Sequence, residues 1–337
     1  MNATGAQFGR IANLIVADAA LLRGRDLSQL RFRFEIRQTE VDTPNTMVVR
    51  VYNLTRQTAN EIKTQYTTIA LQVGYQGTTV EMVFSGDIKY FRDGKENAVD
   101  SFLEITAADN DLGYNYGFLN VTLGPGLTPG QVVAAASQAM GTGTDQNAVS
   151  LQSFGGAFPR GKVMFGLARI YLDQAAATAN AAGARWSVQN GVLTFVSTTG
   201  YLPGEAVILT PATGLIGIPE ATIDGIEARC LMNGKLKVGT QVAIQAATIV
   251  QTSTTAAQQA ALLGPGMIPL PSRTNSFTTI ARATSTVNLP GLPGVGVYRV
   301  AVVEHSGDTR ENEWYSDITA LTIDPSAPPD AAVSNGG

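Results

Sequence analysis

Residues 30–37, LRFRFEIR, alternate strictly between apolar and charged side chains. Leu30, Phe32, Phe34 and Ile36 fall on one side of an extended chain, and Arg31, Arg33, Glu35 and Arg37 on the other. Only a strand with one buried face satisfies a period of two. Similar short segments recur: TMVVRVYNL after the turn DTPN, IALQVGY, VEMVFSGDIKYF and DSFLEITAAD, the last two joined by the turn RDGKEN. Between them Thr58-Ala-Asn-Glu61 reads as a capping box that starts one short helix ending near Tyr66. Short strands at regular spacing predict a barrel or sandwich over 1-112.

The pattern changes at residue 113. LTPGQVVAAASQAMG predicts a helix with Thr128 or a neighbour at its cap, Pro129 in its first turn and Gly141 at its stop. A second helix is expected over 162–182. WSVQNGVLTFV predicts a hairpin, because Asn190-Gly191 supplies both positive-φ positions of a type I′ turn. Residues 113-204 therefore read as a small α+β module. Strands return at AVILT, GIEARCLM and KVGTQVAIQ, which opens a second β domain over 205-325. It holds a long excursion at 251-294, with one helix expected at 254–263, and 326-337 reads as a flexible tail. The fold class expected is mainly β with an α+β insertion: a first β domain that is a barrel or sandwich, a small α+β module and a second β domain.

The last hairpin, VAVVEHSGDTRENEWYSDITAL, holds the only histidine of the chain, His305, amid Glu304, Asp308, Glu311 and Glu313. Glu304 and His305 are neighbours on a strand and point to opposite faces, so they do not make a base with an orienting carboxylate. Ser306-Gly307-Asp308 is turn chemistry. Val300 and Val302 on one strand, with Ile318 and Ala320 on the other, are expected to pack the second β domain, and of Trp314 and Tyr315 one is expected to face in and one out. The motif G-x-x-x-x-G-K from Gly156 to Lys162 is followed by Val163 where a magnesium-binding hydroxyl is needed, and is read as a loop. Cys230, the single cysteine, lies in an apolar strand pattern and reads as a buried thiol; it excludes an intramolecular disulfide and a multi-cysteine zinc site. No catalytic, cofactor or metal site is expected.

Of the 337 residues, 15% are charged, well under the roughly one quarter of an average domain. Such a surface suits a subunit that hides much of itself against partners. The net charge of −4 speaks against a nucleic-acid binder, so Arg31, Arg33 and Arg37 read as a solvated strand face. No run of about 18 apolar residues offers a membrane span, and no basic cluster ahead of an apolar run offers a signal peptide.

The segments TPNTMVVRVYNLTRQTANEIK, ALQVGYQG and VFSGDIKYF, followed in order by DSFLEITAADNDLGYNY, FPRGKVMFGLAR, YLPGEAVILTPATGLIGIPEAT and VEHSGDTRENEWYSD, resemble the baseplate hub proteins of contractile-tailed bacteriophages, which are related to the hub part of type VI secretion spikes. The resemblance runs from residue 30 to 325 and is weakest at 251–294. It implies two tube-like β-barrel domains plus a small α+β module in each chain, and a homotrimeric ring that adapts a sixfold tail tube to a threefold central spike. It further implies contacts with the tail tube protein, the spike and other baseplate proteins, and phage DNA passing through the lumen without sequence-specific binding. The protein would assemble in the host bacterial cytoplasm and reside in the virion tail baseplate. Interface residues expected at a rim are Arg31, Arg33, Asp308, Arg310 and Glu311. Two alternatives stay open: a hub-associated peptidoglycan hydrolase, and a tail-tip glycan-binding protein with Trp186 and Trp314 as stacking residues.

Overall fold

The computed structural model describes residues 7–18, 23–144, 157–178, 184–197, 200–222, 225–245, 250–251 and 295–322. The expected helix at 254–263, most of the excursion and the tail at 326-337 lie outside the described residues. The first part of the chain forms β1 (Arg10–Ala17), β2 (Gly24–Asp26), β3 (Phe32–Thr39), β4 (Thr46–Tyr52), helix α1 (Arg56–Gln65), β5 (Thr68–Tyr75), β6 (Glu81–Lys95) and β7 (Ser101–Ala108). The middle part forms α2 (Asp111–Tyr116), β8 (Phe118–Leu123), α3 (Pro129–Met140), β9 (Gly143–Thr144), β10 (Lys162–Leu167), α4 (Ala168–Thr178), β11 (Ala184–Gln189) and β12 (Val192–Ser197). The last part forms β13 (Val207–Leu209), β14 (Leu215–Thr222), β15 (Gly225–Leu231), β16 (Gln241–Gln245), β17 (Val250–Gln251), β18 (Val295–Asp308) and β19 (Trp314–Thr322). The chain is mainly β, as its alternation required.

Alternation sets which face each strand buries. On β3, Phe32, Phe34 and Ile36 are buried while Glu35 and Arg37 are exposed. They join Val49, Leu71, Phe84 and Ile105 in a first core, completed by Met232 and Trp314 from far along the chain. A second core lies in the middle part, around Met140, Met164, Leu172 and Trp186. A third packs Leu209, Ile226, Val242, Val300 and Ile318.

One strand belongs to both sheet halves. β18 pairs through Val295–Arg299 with β16 and through Val302–Asp308 with β3, while β19 runs along its other edge. The result is a single 14-stranded sheet among the described residues, folded round two cores. A bulge between Val300 and Val302 marks the changeover. It shifts the alternation by one, so Val303 enters the third core in place of the expected Val302, which is only half-buried.

Local corrections have equally local causes. Helix α1 begins before the expected box: Thr55 is its cap, its hydroxyl accepting the Thr58 amide at 3.1 Å. β6 runs on through Lys95, so its turn falls at 96–99 and takes in only the last two residues of RDGKEN. The helix expected over 162–182 is a strand and a shorter helix. Val163 and Phe165 face solvent while Met164 is buried, a period of two, and Gly166 at φ 148° breaks the chain before α4. α3 is capped by Thr128, in a capping box with Gln131 that the sequence reading did not include, and stops at Gly141; the β11–β12 turn has Asn190 at φ 55° and Gly191 at φ 79°. β1 and β14 were absent from the expected strands.

Trp314, only 1% exposed, stacks edge to face on Phe34 at 5.7 Å and so locks the last hairpin into the first core. Truncation to Trp314→Ala is expected to destabilise the protein by about 3–5 kcal/mol, read from urea unfolding, because cavity and transfer terms add.

Candidate assembly site

The turn that joins β18 to β19 is organised by one carboxylate. Asp308 is almost fully buried and accepts the amides of Arg310 (2.8 Å) and Glu311 (3.1 Å) on one oxygen. Its other oxygen pairs with Arg31 at 3.0 Å. Burial raises the Asp308 pKa, but the Arg31 hydrogen bond, the two amides and the Arg31 charge outweigh it and hold the carboxyl below its ordinary range. Arg31 also pairs with Glu311 and lies over the Tyr52 ring at 4.6 Å. Arg10 reaches across to the carbonyls of Glu311 (2.6 Å) and Asn312 (3.1 Å). Among the five expected interface residues, then, Arg31, Asp308 and Glu311 are brought together. Arg33 lies beside them, bonded to Glu35 (3.1 Å) and Glu313 (3.4 Å), and Arg310 is exposed, its guanidinium donating to the Gln29 carbonyl at 3.3 Å.

A second polar cluster joins the three cores, and no sequence motif announced it. Glu40, just past β3, meets Arg299 of β18 at 3.2 Å with both side chains 4% exposed, and also pairs with Arg185 of β11. Arg299 donates to the Gly200 carbonyl at 2.8 Å, and the Glu40 amide donates to Ala301 at the bulge (3.1 Å). One carboxylate thus touches the first sheet half, the α+β module and the second half.

The β11–β12 turn is clamped in the same way. Asp109 accepts the amides of Asn190 (2.5 Å) and Gly191 (2.8 Å), and the Asn190 side chain accepts the Ser85 amide at 3.0 Å. Asn45 donates to the Val188 carbonyl, and Gln189 to that of Thr39, each at 2.9 Å. The only hint in the sequence was an acid at the end of the strand pattern DSFLEITAAD.

The groups considered for chemistry lie apart. His305 is buried, its Nδ1 is 2.8 Å from the Ser316 hydroxyl, and burial pushes its pKa down to about 4. Glu304 faces outward to Arg37 at 3.3 Å. Cys230 is buried, and its thiol is pushed up to about 12. Lys162 opens β10, where Gly161 abuts the Leu123 carbonyl closely enough that a Cβ would lie 2.7 Å from it; Gly156 lies outside the described residues. Trp186 and Trp314 are both in cores, with Trp186 donating to Asp173 at 2.7 Å, so neither ring offers the open face a sugar would stack on. Among the described residues no three His, Cys, Asp or Glu side chains group as metal ligands, and no helix is long and apolar enough to cross a membrane.

Removing Glu40 strands a buried Arg299. Glu40→Ala is expected to cost about 3–5 kcal/mol in urea unfolding, whereas Arg185→Ala, whose side chain is half exposed, is expected to cost about 1 kcal/mol or less.

The pH dependence carries two opposed signs. The folded-state pKa of His305 lies below its ordinary 6.5, so its contribution is complete above pH 6.5 and falls away as pH drops toward 4. Burial raises Asp109 from 3.8 to about 6, so its contribution is largest below pH 4 and is lost as pH climbs to 6. Urea midpoints between pH 4 and 6.5 are therefore expected to fall less steeply toward acid in His305→Asn, and more steeply in Asp109→Asn, than in the parent chain.

No family model matches the sequence, and no curated protein matches it. Among solved structures, a tail protein from Neisseria meningitidis MC58 superposes with a TM-score of 0.51 at 9% identity, covering 94% of this chain and 97% of that one. The 43 kDa tail protein of prophage MuSo2 from Shewanella oneidensis gives 0.49 at 10% identity, covering 93% and 98%. The Escherichia coli c3393 protein, described as a component of the type VI secretion system, gives 0.47 at 9% identity, covering 88% and 74%. The structural neighbours are thus phage tail and type VI secretion proteins, and the Neisseria protein shares this fold along nearly its whole length.

Proposed function

We propose that the protein is a structural component of a phage tail, a baseplate hub whose homotrimeric ring adapts a sixfold tail tube to a threefold central spike. The observation that carries this reading is a pair of sheet halves, the first antiparallel and the second mixed, each on its own core, within one chain and joined through β18. Three copies of such a chain present six comparable sheet units while the chain itself repeats only three times, which is the geometry a sixfold-to-threefold joint needs. The shared fold of the Neisseria tail protein supports the setting. In this reading the two units span 1-112 and 205-325 and carry the 113-204 module between them. The tail tube, the spike and other baseplate proteins flank the ring. A slightly acidic subunit lets DNA slide through the lumen without sticking, and assembly takes place in the host cytoplasm before the ring enters the virion.

Arg33 and Arg310, beside the Arg31–Asp308–Glu311 cluster, contribute to the contact between neighbours. The role is geometric and requires no catalytic group; the buried settings of His305 and Cys230 suit it. The mass of the purified protein in solution, alone and with its spike, tests the ring: a trimer is expected, and any other copy number overturns the proposal. Arg310→Glu is expected to weaken assembly, and unchanged assembly removes the cluster from the interface.

A further inference from the structure

A side-chain amide is most open to attack by its own main chain where glycine follows, because no Cβ shields the next amide nitrogen. The sequence holds three such pairs, Asn190–Gly191, Asn233–Gly234 and Asn335–Gly336, the last outside the described residues. Asn190 sits at φ 55° in the β11–β12 turn, and a Cβ on Gly191 would meet nothing within 4 Å. The Gly191 amide donates to one Asp109 oxygen at 2.8 Å and the Asn190 amide to the other at 2.5 Å. From β6, the Ser85 amide donates to Asn190 Oδ1 at 3.0 Å. One amide nitrogen thus aims its proton at a carboxylate, while the side-chain carbonyl beside it is polarised by an N–H. The Asn190 side-chain nitrogen has no hydrogen bond among the described residues.

Asp109 is suited to take that proton. It is 1% exposed, and burial above all, helped by the charge of Asp87 on β6, raises its pKa to about 6 against the two turn amides and Asn45, which lower it. Such a group is still a carboxylate at neutral pH, yet holds a proton better than an exposed aspartate does. Lys89 of β6 is paired with Asp111 at 2.8 Å, and no described cation is ion-paired with Asp109. A cavity of about 300 Å³ has Ser85, Asp87, Asp109 and Gly191 in its wall, which gives water a way in and a small leaving group a way out. Asn233–Gly234 lacks this setting. Asn233 Oδ1 accepts the Lys235 amide and the Asn233 amide donates to Ser316 Oγ, each at 3.0 Å, and no carboxylate accepts the Gly234 amide among the described residues.

We propose that Asn190–Gly191 is a self-modifying site, with Asp109 as its catalytic base and the Ser85 amide as the donor to the developing oxyanion. Asp109 takes the Gly191 amide proton as that nitrogen bonds to Asn190 Cγ. The bond from Cγ to the side-chain nitrogen then breaks, and ammonia leaves with the proton that Asp109 returns. Water opens the resulting cyclic imide at either carbonyl, giving an ordinary aspartyl residue or a β-aspartyl link that lengthens the main chain by one carbon. Nothing is oxidised or reduced. A rigid turn restrains ring closure, but a positioned base contributes about 10²–10⁴-fold and a donor at the oxyanion about 10²–10³-fold, and the bonds that hold this turn supply both. Either product adds a negative charge beside Asp109 and Asp87, and the β-aspartyl form also shifts the two amides that Asp109 holds. The seam between the α+β module and the first sheet half therefore loosens as the protein ages.

Peptide mapping by mass spectrometry of the folded, full-length chain held at neutral pH tests the site. Asn190 is expected to lose its amide about tenfold faster than Asn233, or more. In urea, where both are plain Asn–Gly pairs, the two rates are expected to become alike. Asp109→Asn, which keeps the shape of the clamp, is expected to bring the Asn190 rate in the folded protein down to that of Asn233. The pH profile of the parent chain reads the base without any variant. The Asn190 rate is expected to level off above pH 6, once Asp109 is charged, whereas attack that needs hydroxide alone keeps rising in proportion to it. Conversion of Asn190 no faster than that of Asn233, a rate that climbs with hydroxide through neutral pH, or conversion undiminished in folded Asp109→Asn overturns the proposal and leaves Asp109 as a clamp only.

Discussion

Everything in this fold depends on β18 having two different partners on one edge. Its first residues complete the second sheet half beside β16 and its later ones complete the first beside β3, while β19 backs it from Tyr298 to Gly307. Two cores that would otherwise be tethered only by connecting segments thereby share main-chain hydrogen bonds. The relative orientation of the two halves is then set by sheet geometry. For a subunit whose proposed task is to present two comparable units at a fixed spacing, a shared strand is a direct physical means of doing so.

Rigidity at the changeover comes from polar groups. A bulge leaves the Ala301 carbonyl free to accept the Glu40 amide, and the Glu40 side chain collects Arg299 and Arg185. A buried ion pair is weak evidence for net stability, because desolvation offsets most of the attraction, but it punishes any arrangement that separates the partners. Asp109 and Asn45 act similarly on the β11–β12 turn, whose amides and carbonyls have partners only if the module sits in one place. The apolar cores hold each part together, and these seams fix how the parts sit.

The strands were legible where one face is buried and the other wet. LRFRFEIR announced β3, and Asn190-Gly191 announced its hairpin, because a type I′ turn demands that chemistry. KVMFGL was misread as helical since the alanine-rich segment after it extends the apolar run, and only pairing with β8 reveals its period of two. β1, RIANLIVA, buries Leu14 and Val16 in alternation but is partly covered on its other face, which blurs the pattern. Of the proposed interface, Arg31, Asp308 and Glu311 proved to be neighbours, though their first duty is to each other. Glu40 was invisible because its partners lie 145 and 259 residues away.

By itself the sequence determined a mainly β chain, a capped helix α3, the position of one tight hairpin turn, a buried thiol and the lack of any motif that demands chemistry. Those properties follow from side-chain period, turn stereochemistry and residue type, all of which act over a few positions. Tertiary structure alone decided that β18 serves two sheet halves, that Trp314 and Met232 finish a core begun near residue 14, and that one glutamate joins three parts of the molecule. Such pairings depend on which segments meet in space, and local propensity carries no record of contacts made hundreds of residues apart.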